Sequence, residues 1–299
     1  MPSSVRIRQR IKAYLFGALF YLGVTRLARW FNRKRVIILC YHGVTERPTR
    51  SPDDPFGLHV RHERFAAQLE YLRRHYRVIA LRDYLDAIRH GQRTPRYSVI
   101  LTFDDGYRNF FTAAAPRLAE RSLPAALFPI TDMVRQDDRV PETRAWTPSD
   151  DDTYLSWAEV RALAQNPRYE VGSHTCSHPE LPLLSPVDVE RELRDSSGAI
   201  ALHLGGTDRL ALAYPKGRYT HYIARQAQSI GYGCALTTDE GSNNLHADLF
   251  TLQRILIGDD DTVPAFAARV SGCVSWLKGL RRRPSPLTPS MTGQTAMAP

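Results

Sequence analysis

The feature that most constrains the fold is the alternation, over residues 36–280, of short apolar runs with longer stretches of helical periodicity. Runs such as VIILCYH (36–42) and SVILTFDD (98–105) are apolar almost throughout, which is typical of strands in a parallel sheet buried on both faces. Seven or eight such strand-and-helix units fill these residues, the usual content of a barrel domain. We therefore predict an α/β fold, a distorted (β/α) barrel of seven or eight strands in one domain. The other predicted strands are 78–80, 125–130, 169–174, 210–215, 233–238 and 252–257.

The formal net charge of +9 over 299 residues suggests nucleic-acid binding only until the charge is located. Residues 1–35 contain nine Lys or Arg and no acid, and residues 281–299 contain three Arg and no acid. The body, 36–280, is mildly acidic, so a nucleic-acid partner is disfavoured. The four cysteines are widely spaced without a CxxC pair, which predicts free thiols rather than a zinc ribbon or a redox pair.

The basic amino-terminal segment, 1–35, surrounds an apolar stretch of thirteen residues, Ala13 to Thr25. That stretch is shorter than the roughly 20 residues a spanning helix needs, and no small-x-small cleavage site follows it. We predict an interfacial helix that meets anionic lipid headgroups, with Trp30 and Phe31 as anchors. The alternative is a helix docked on the body. Its predicted apolar face carries Leu15, Phe16, Leu19 and Leu22.

These segments give three predicted regions: a membrane-associating segment (1–35), one folded α/β domain (36–280) and a disordered tail (281–299). The tail is rich in Pro, Ser and Thr and has few large apolar residues, which is typical of disorder. Basic residues beside an apolar segment are usually retained on the cytoplasmic side. We therefore expect a peripheral protein of a bacterial inner membrane on its cytoplasmic face, with the periplasmic face as the alternative. The sequence predicts no oligomeric state.

Polar residues stand where the predicted strands end. Asp104 and Asp105 follow SVILTF, His174 follows YEVGS, and His42 follows VIILCY. Since the carboxyl ends of parallel barrel strands meet at one rim, we expect these side chains to converge there. Adjacent carboxylates after a strand point to opposite sides, so the two Asp residues can take separate duties. The alternative for the Asp pair is a turn or a helix cap.

The histidines of HTCSH (174–178) have a spacing compatible with one metal ion. Pro179 disfavours a helix at His178, so the pair differs from the helical HExxH of zinc proteases. One carboxylate and two imidazoles make three ligands and leave an open position, as hydrolytic zinc sites require. Two surface histidines are the alternative.

Three motifs in this order, TFDDGY (102–107), HTCSH (174–178) and YPKGRY (214–219), resemble the metal-dependent polysaccharide deacetylases of carbohydrate esterase family 4, the NodB-homology domain. ILCYHGV (38–44) resembles the circularly permuted branch of that family, in which the last motif comes first. The resemblance covers roughly residues 36–275.

The resemblance implies a role for each matching residue. Asp105, His174 and His178 would bind the divalent metal, most readily Zn²⁺; Asp104 would be the general base and His42 the catalytic acid. The YPKG segment would supply substrate or oxyanion contacts through Tyr214, Pro215, Lys216 and Gly217. The implied reaction is removal of N-acetyl groups from amino sugars of a polysaccharide or a lipid-linked glycan.

Two departures from the family pattern bear on this interpretation. Ala213 stands where the family usually has an Arg that orients the base, and Lys216 stands where an aromatic residue is common. The Trp that lines the family's pocket has two candidates here, Trp146 and Trp157. O-deacetylation of a glycan, or glycan binding with a weak catalytic site, therefore stay open as alternatives.

Overall fold

A computed structural model describes residues 14–46, 57–137, 140, 147–151, 153–206 and 209–274. Residues 1–13, Trp146 and the predicted tail (281–299) lie outside the described residues. The strands are β1 (Val36–Tyr41), β2 (Gly43–Thr45), β3 (His59–Arg61), β4 (Arg77–Val78), β5 (Ser98–Asp105), β6 (Ala125–Pro129), β7 (Tyr169–Val171), β8 (Ala211–Ala213), β9 (Cys234–Leu236) and β10 (Ile255–Leu256).

The main sheet is parallel, in the order β10-β1-β5-β6-β7, with β4 paired to β5. Strands β8 and β9 form a separate parallel pair. Single parallel bridges, Ser173 to Leu212 and Leu236 to Leu252, link this pair to the two edges of the main sheet. The paired and bridged segments thus follow one another around a circuit of seven strands. The prediction of an α/β fold with a parallel sheet in one domain is confirmed.

Both faces of β1 are buried, as its uninterrupted apolar sequence predicts. Ile37, Leu39 and Tyr41 belong to a large core cluster that also includes apolar residues of the flanking helices. Val36 and Ile38 belong to a second cluster, which includes residues of β5, β6, β8 and β9. An apolar side chain at every position is therefore required on this strand.

Helices follow most of the strands, as predicted from the periodicity. They are a helical segment over 14–21 (α1), α2 (Val24–Phe31), α3 (His62–His75), α4 (Leu81–Arg89), α5 (Ala115–Glu120), α6 (Trp157–Ala164), α7 (Pro186–Leu204), α8 (His221–Ile230) and α9 (Val263–Val270). Helix α6 begins with a capping box, in which Ser156 and Glu159 each accept the other's backbone N–H, and this stabilises the helix start.

The sequence analysis missed the short parallel pair of β2 and β3, which lies directly after β1. It also extended β7 to residue 174, whereas the strand ends at Val171 and the chain runs on as a bridge and a loop. Among the described residues, no helix is long and apolar enough to cross a membrane.

Candidate metal centre

Strand β5 delivers two carboxylates to the rim where the parallel strands end. Asp104 is buried and Asp105 is partly exposed, because successive side chains of a strand point to opposite sides. Asp105 has a φ of 69°, followed by Gly106 at 79°. This left-handed turn is rare for a non-glycine residue, and such strain concentrates at functional sites.

The structure brings Asp105, His174 and His178 together. Asp105 Oδ1 lies 3.4 Å from His174 Nε2 and 3.8 Å from His178 Nε2. The three potential ligand atoms all lie within 4.8 Å of one another. Asp105 Oδ1 is buried and, within the described part of the chain, has no hydrogen-bond partner. A buried oxygen without a donor, flanked by two imidazoles, fits a divalent cation.

Neighbouring groups orient both imidazoles for ligation. His174 Nδ1 lies 2.7 Å from the carbonyl oxygen of Ala213 and donates to it, which leaves the Nε2 lone pair directed at Asp105. Such a carbonyl contact is the usual support for a metal-binding histidine. The 174–178 loop is held by Glu192 of α7, which accepts the backbone N–H groups of Cys176 and Ser177 at 2.9 Å.

The pKa values of the two imidazoles are shifted in opposite directions. Burial, followed by the charge of His174, lowers the pKa of His178 to about 4, so its ring is neutral at pH 7. Burial also acts against a charged His174, but the Asp104 and Asp105 carboxylates outweigh it and raise the His174 pKa. Because an imidazole binds a cation only through a deprotonated ring nitrogen, metal affinity at this site would depend on pH.

Asp104 is clamped by a fully buried arginine. Arg254 Nη1 and Nη2 donate to the two carboxylate oxygens at 2.7 Å each, and the Cys40 thiol donates to Oδ2 at 3.3 Å. Burial alone would raise the pKa of Asp104, but the Arg254 charge and its hydrogen bonds overcome this and hold the pKa well below its usual value. Asp104 is therefore ionised and held in one orientation.

Arg254 is the main residue that the sequence analysis missed. It lies just before β10 and its Nε donates to the carbonyl oxygen of Thr237 at 2.8 Å. Ala213 carries no charge at the position where the family usually has an arginine. Arg254 supplies a guanidinium to the same carboxylate from the residue that precedes β10. The sequence did contain a signal: a single Arg within the apolar run LQRILI (252–257). An arginine in a buried strand needs a partner of opposite charge, because an unpaired charge is not buried.

His42 approaches the cluster from the end of β1. Its Nε2 lies 3.9 Å from Asp105 Oδ2. Burial lowers its pKa, although the Asp105 and Asp104 charges act in the opposite direction. His42, Cys40 and Asp104 also form a second group of closely spaced potential ligands, but Arg254 already occupies both oxygens of Asp104.

The YPKG segment lies beside the site with its side chains otherwise engaged. The buried Tyr214 donates its hydroxyl to the carbonyl oxygen of Phe250 at 3.1 Å, and the Lys216 ammonium pairs with Glu180 at 2.7 Å. Pro215 and Gly217 are buried in the turn. Lys216 has a φ of 55°, so a tight left-handed turn fixes its backbone. Any contact from this segment to a substrate would therefore come from the backbone.

Two tyrosines lie beside the metal cluster, as we call the group formed by Asp105, His174 and His178. Tyr107 and Tyr154 stack with centroids 5.2 Å apart and an interplanar angle of 16°. Tyr107 lies two residues after Asp105 and forms an isolated antiparallel bridge with Tyr154. Burial, followed by the Asp105 charge, raises the pKa of Tyr154. Trp157, in contrast, is buried in the core and stacks on His203 at 4.0 Å. It is core rather than pocket wall.

Comparisons with known proteins point to one family. Residues 91–235 match the sequence profile described as polysaccharide deacetylase. The poly-beta-1,6-N-acetyl-D-glucosamine N-deacetylase of Escherichia coli (strain K12) is 23% identical over 261 residues, which cover 78% of this chain and 38% of that protein. The chitooligosaccharide deacetylase of Rhizobium leguminosarum bv. phaseoli is 26% identical over 140 residues, 46% of this chain and 53% of that protein. The chain thus spans about half or less of the length of these two relatives.

A solved structure supports the fold. The deacetylase PplD of Streptococcus pyogenes, in complex with acetate, superposes with a TM-score of 0.66 at 24% identity. The match covers 79% of this chain and 98% of that chain.

Proposed function

This chain carries a polysaccharide deacetylase domain of the NodB-homology type, and from that premise we propose a metal-dependent hydrolase that removes N-acetyl groups from amino sugars. The substrate class is a polysaccharide or a lipid-linked glycan. The curated relatives act, by their names, on N-acetylglucosamine polymers and chitooligosaccharides. The observation that carries the proposal is that a group of three metal-compatible donors lies beside a separate, arginine-clamped carboxylate, with His174 Nε2 3.9 Å from Asp104 Oδ2.

We assign the metal to Asp105, His174 and His178, whose donor set suits Zn²⁺. When bound, such an ion supplies a Lewis acid for the acetamide carbonyl and lowers the pKa of a water molecule beside it. The residues fit this ion because Asp105 Oδ1 has no hydrogen-bond donor among the described residues. His174 keeps its Nε2 lone pair free by donating from Nδ1 to Ala213.

The protein groups divide the proton transfers. Asp104 accepts a proton from the attacking water, whose oxygen forms a bond to the acetamide carbon. His42 protonates the sugar nitrogen as the carbon–nitrogen bond breaks, so that acetate and a free amine leave. His42 must carry a proton for this step, and burial, by lowering its pKa, makes that proton easier to release. The Lys216 backbone N–H, set by its left-handed turn, is the proposed additional donor to the carbonyl oxygen.

Arg254 bears on the alternative of a glycan-binding protein with a weak site. That alternative depended on Ala213, because a base without its arginine loses its orientation. Here two hydrogen bonds of 2.7 Å hold Asp104 in a single orientation, which favours catalysis. O-deacetylation uses the same groups, and only the substrate distinguishes it.

The proposal is tested by measuring acetate and free-amine release from N-acetylglucosamine oligomers and, in parallel, acetate release from an O-acetylated glycan. We expect release from the amide by the zinc-loaded protein and none by Asp105→Ala. Release from the ester alone would make the protein an esterase. No release from either substrate by protein that binds zinc would contradict the hydrolase proposal.

The proposed location is the cytoplasmic face of a bacterial inner membrane. Five Lys or Arg residues within 26–35 follow the apolar stretch. They support this location because basic residues beside an apolar segment are usually retained on the cytoplasmic side. A reporter fused to the carboxyl terminus and active on only one side of the membrane tests this location. Activity of a periplasm-specific reporter would contradict it.

A further inference from the structure

Helix α1 has apolar residues on two opposite faces, and α2 carries exposed apolar residues. On the inner face of α1, Phe16 and Leu19 pack with Ala265 and Ala268 of α9, and Phe20 contacts Tyr71 of α3 with centroids 6.3 Å apart. Of the two predicted arrangements, docking on the body is therefore present in the structure. A helix docked through one apolar face normally has a polar opposite face.

The outer face is apolar instead. Thirteen large apolar side chains are exposed in the described residues, and seven of them lie within residues 14–31, at exposures of 49–80%. We call these seven residues the outer apolar surface. They are Tyr14, Leu15, Tyr21, Leu22, Leu27, Trp30 and Phe31.

The spacing makes this surface continuous on each helix. Leu15 and Leu22 are seven residues apart, which is about two helical turns. On α2, Leu27 lies three residues before Trp30 and four before Phe31, so the three side chains are neighbours on one side of the helix. Trp30 and Phe31 contact each other edge to face at 4.9 Å. Scattered single apolar residues need no explanation, but a contiguous set marks an interaction site.

An apolar cavity extends the surface inward at α2. It has a volume of about 510 Å³ and lies between α2 and the amino-terminal ends of β1 and β10. Leu27 and Phe31 line it and are themselves exposed. Ile37, Ile255 and Val270 form part of its inner wall. Hydrocarbon that covers the outer surface therefore has space to enter here.

The charge of the amino-terminal segment itself is positive. Residues 1–35 contain no acid, and Arg26, Lys34 and Arg35 are exposed beside the outer apolar surface. The Arg29 guanidinium lies over the Tyr76 and Tyr97 rings, at 5.7 and 5.6 Å from their centroids. Apolar side chains bracketed by cations, with an interfacial Trp, match an anionic lipid surface.

We infer that the outer apolar surface of α1 and α2 binds the surface of an anionic membrane while the inner face stays docked on the catalytic domain. The lipid contact is thereby rigidly joined to the domain. Helix α2 precedes β1 and lies at the amino-terminal ends of the strands, whereas the metal cluster lies at their carboxyl ends. The site stays open to glycan in solution. This inference does not depend on the reaction catalysed.

The test is sedimentation of the full chain with vesicles of phosphatidylcholine alone, or with phosphatidylglycerol replacing part of it. We expect binding to the anionic vesicles that weakens as salt is raised. Leu22→Asp should weaken it by about ten-fold or more, the equivalent of one large apolar side chain. The matched control is Leu202→Asp on α7, because Leu202 is 81% exposed and Leu22 is 79% exposed. The control should bind like the unaltered chain.

Two results would overturn the inference. The first is a full chain that is monomeric by light scattering and binds neither kind of vesicle. The second is a dimer that Leu22→Asp dissociates while vesicle binding is absent, which would assign the surface to a second copy of the chain. Acetate release from soluble oligomers, expected to be unchanged in Leu22→Asp, separates failure of this inference from failure of the proposed reaction.

Discussion

The buried ion pair of Asp104 and Arg254 and the outer apolar surface depart from ordinary burial in opposite directions. At the carboxyl ends of the strands, Asp104 and Arg254 are charged and buried. On α1 and α2, Leu22 and Phe31 are apolar and exposed. Each arrangement costs folding free energy unless a partner is present. The difference is that Asp104 and Arg254 form an ion pair with each other inside the domain, whereas Leu22 and Phe31 are exposed on its surface.

The largest expected effect is on catalysis. Asp104→Asn removes the base but keeps the shape of the side chain, so we expect kcat to fall by about 10²–10⁴-fold. Zinc binding should persist, since Asp104 is not an assigned ligand. Asp83→Asn, an exposed position on α4, is the matched control and should keep its rate. Equal rates for the two variants in an acetate-release assay would contradict the role of Asp104.

The second prediction compares a buried with an exposed arginine. Arg254→Met leaves Asp104 as a buried charge without its partner, so we expect a loss of about 3–5 kcal/mol in the free energy of unfolding. Arg194→Met removes an exposed helical pair with Glu190 and should cost less than about 0.5 kcal/mol. Denaturant unfolding of both variants measures the difference. Similar losses of unfolding free energy in the two variants would mean that the buried Arg254–Asp104 pair stabilises the fold no more than an exposed pair does.

The third prediction separates the two faces of α1. Phe16→Ala empties a buried position against α9 and should cost about 3 kcal/mol of unfolding free energy. Leu22→Ala, on the exposed face of the same segment, should change it by less than about 0.5 kcal/mol in the absence of lipid. Thermal or denaturant unfolding measures both variants. A large loss for Leu22→Ala would show that the outer apolar surface is covered within the free protein.

The last prediction concerns the pH dependence of stability. The pKa of Asp104 is lowered in the folded protein, so its ionisation stabilises the fold above its ordinary value of 3.8. This stabilisation declines as pH falls below 3.8 toward the folded pKa. Unfolding free energy measured over acidic pH should therefore fall more gently for Asp104→Asn than for the unaltered chain. Parallel profiles would contradict the lowered pKa.

Sequence patterns were sufficient where chemistry follows directly from strand position. Asp104 and Asp105 come at the end of an apolar run, so their place at the rim follows from the parallel sheet alone. His174 and His178 share a short loop, and four residues are few enough to limit their separation. The α/β class and the parallel sheet follow from the same apolar runs.

Contacts between distant segments were beyond the sequence reasoning. Arg254 and Asp104 are 150 residues apart, and their pairing depends on β10 lying beside β1, with β5 on the other side. Tyr107 and Tyr154 meet only because the 153–156 segment returns to the rim. Periodicity likewise placed Leu15, Phe16, Leu19 and Leu22 on one apolar face, which is wrong: Phe16 and Leu19 pack on α9, whereas Leu15 and Leu22 are exposed.

The central claim is that one cation held by Asp105, His174 and His178 supports deacetylation at Asp104. Its most direct test is acetate release from N-acetylglucosamine oligomers as Zn²⁺ is returned stepwise to chelator-treated protein. The account predicts no release without metal, recovery that is complete near one equivalent per chain, and no recovery in His178→Ala. Full acetate release by the chelator-treated protein, or recovery in His178→Ala that matches the unaltered chain, would contradict it.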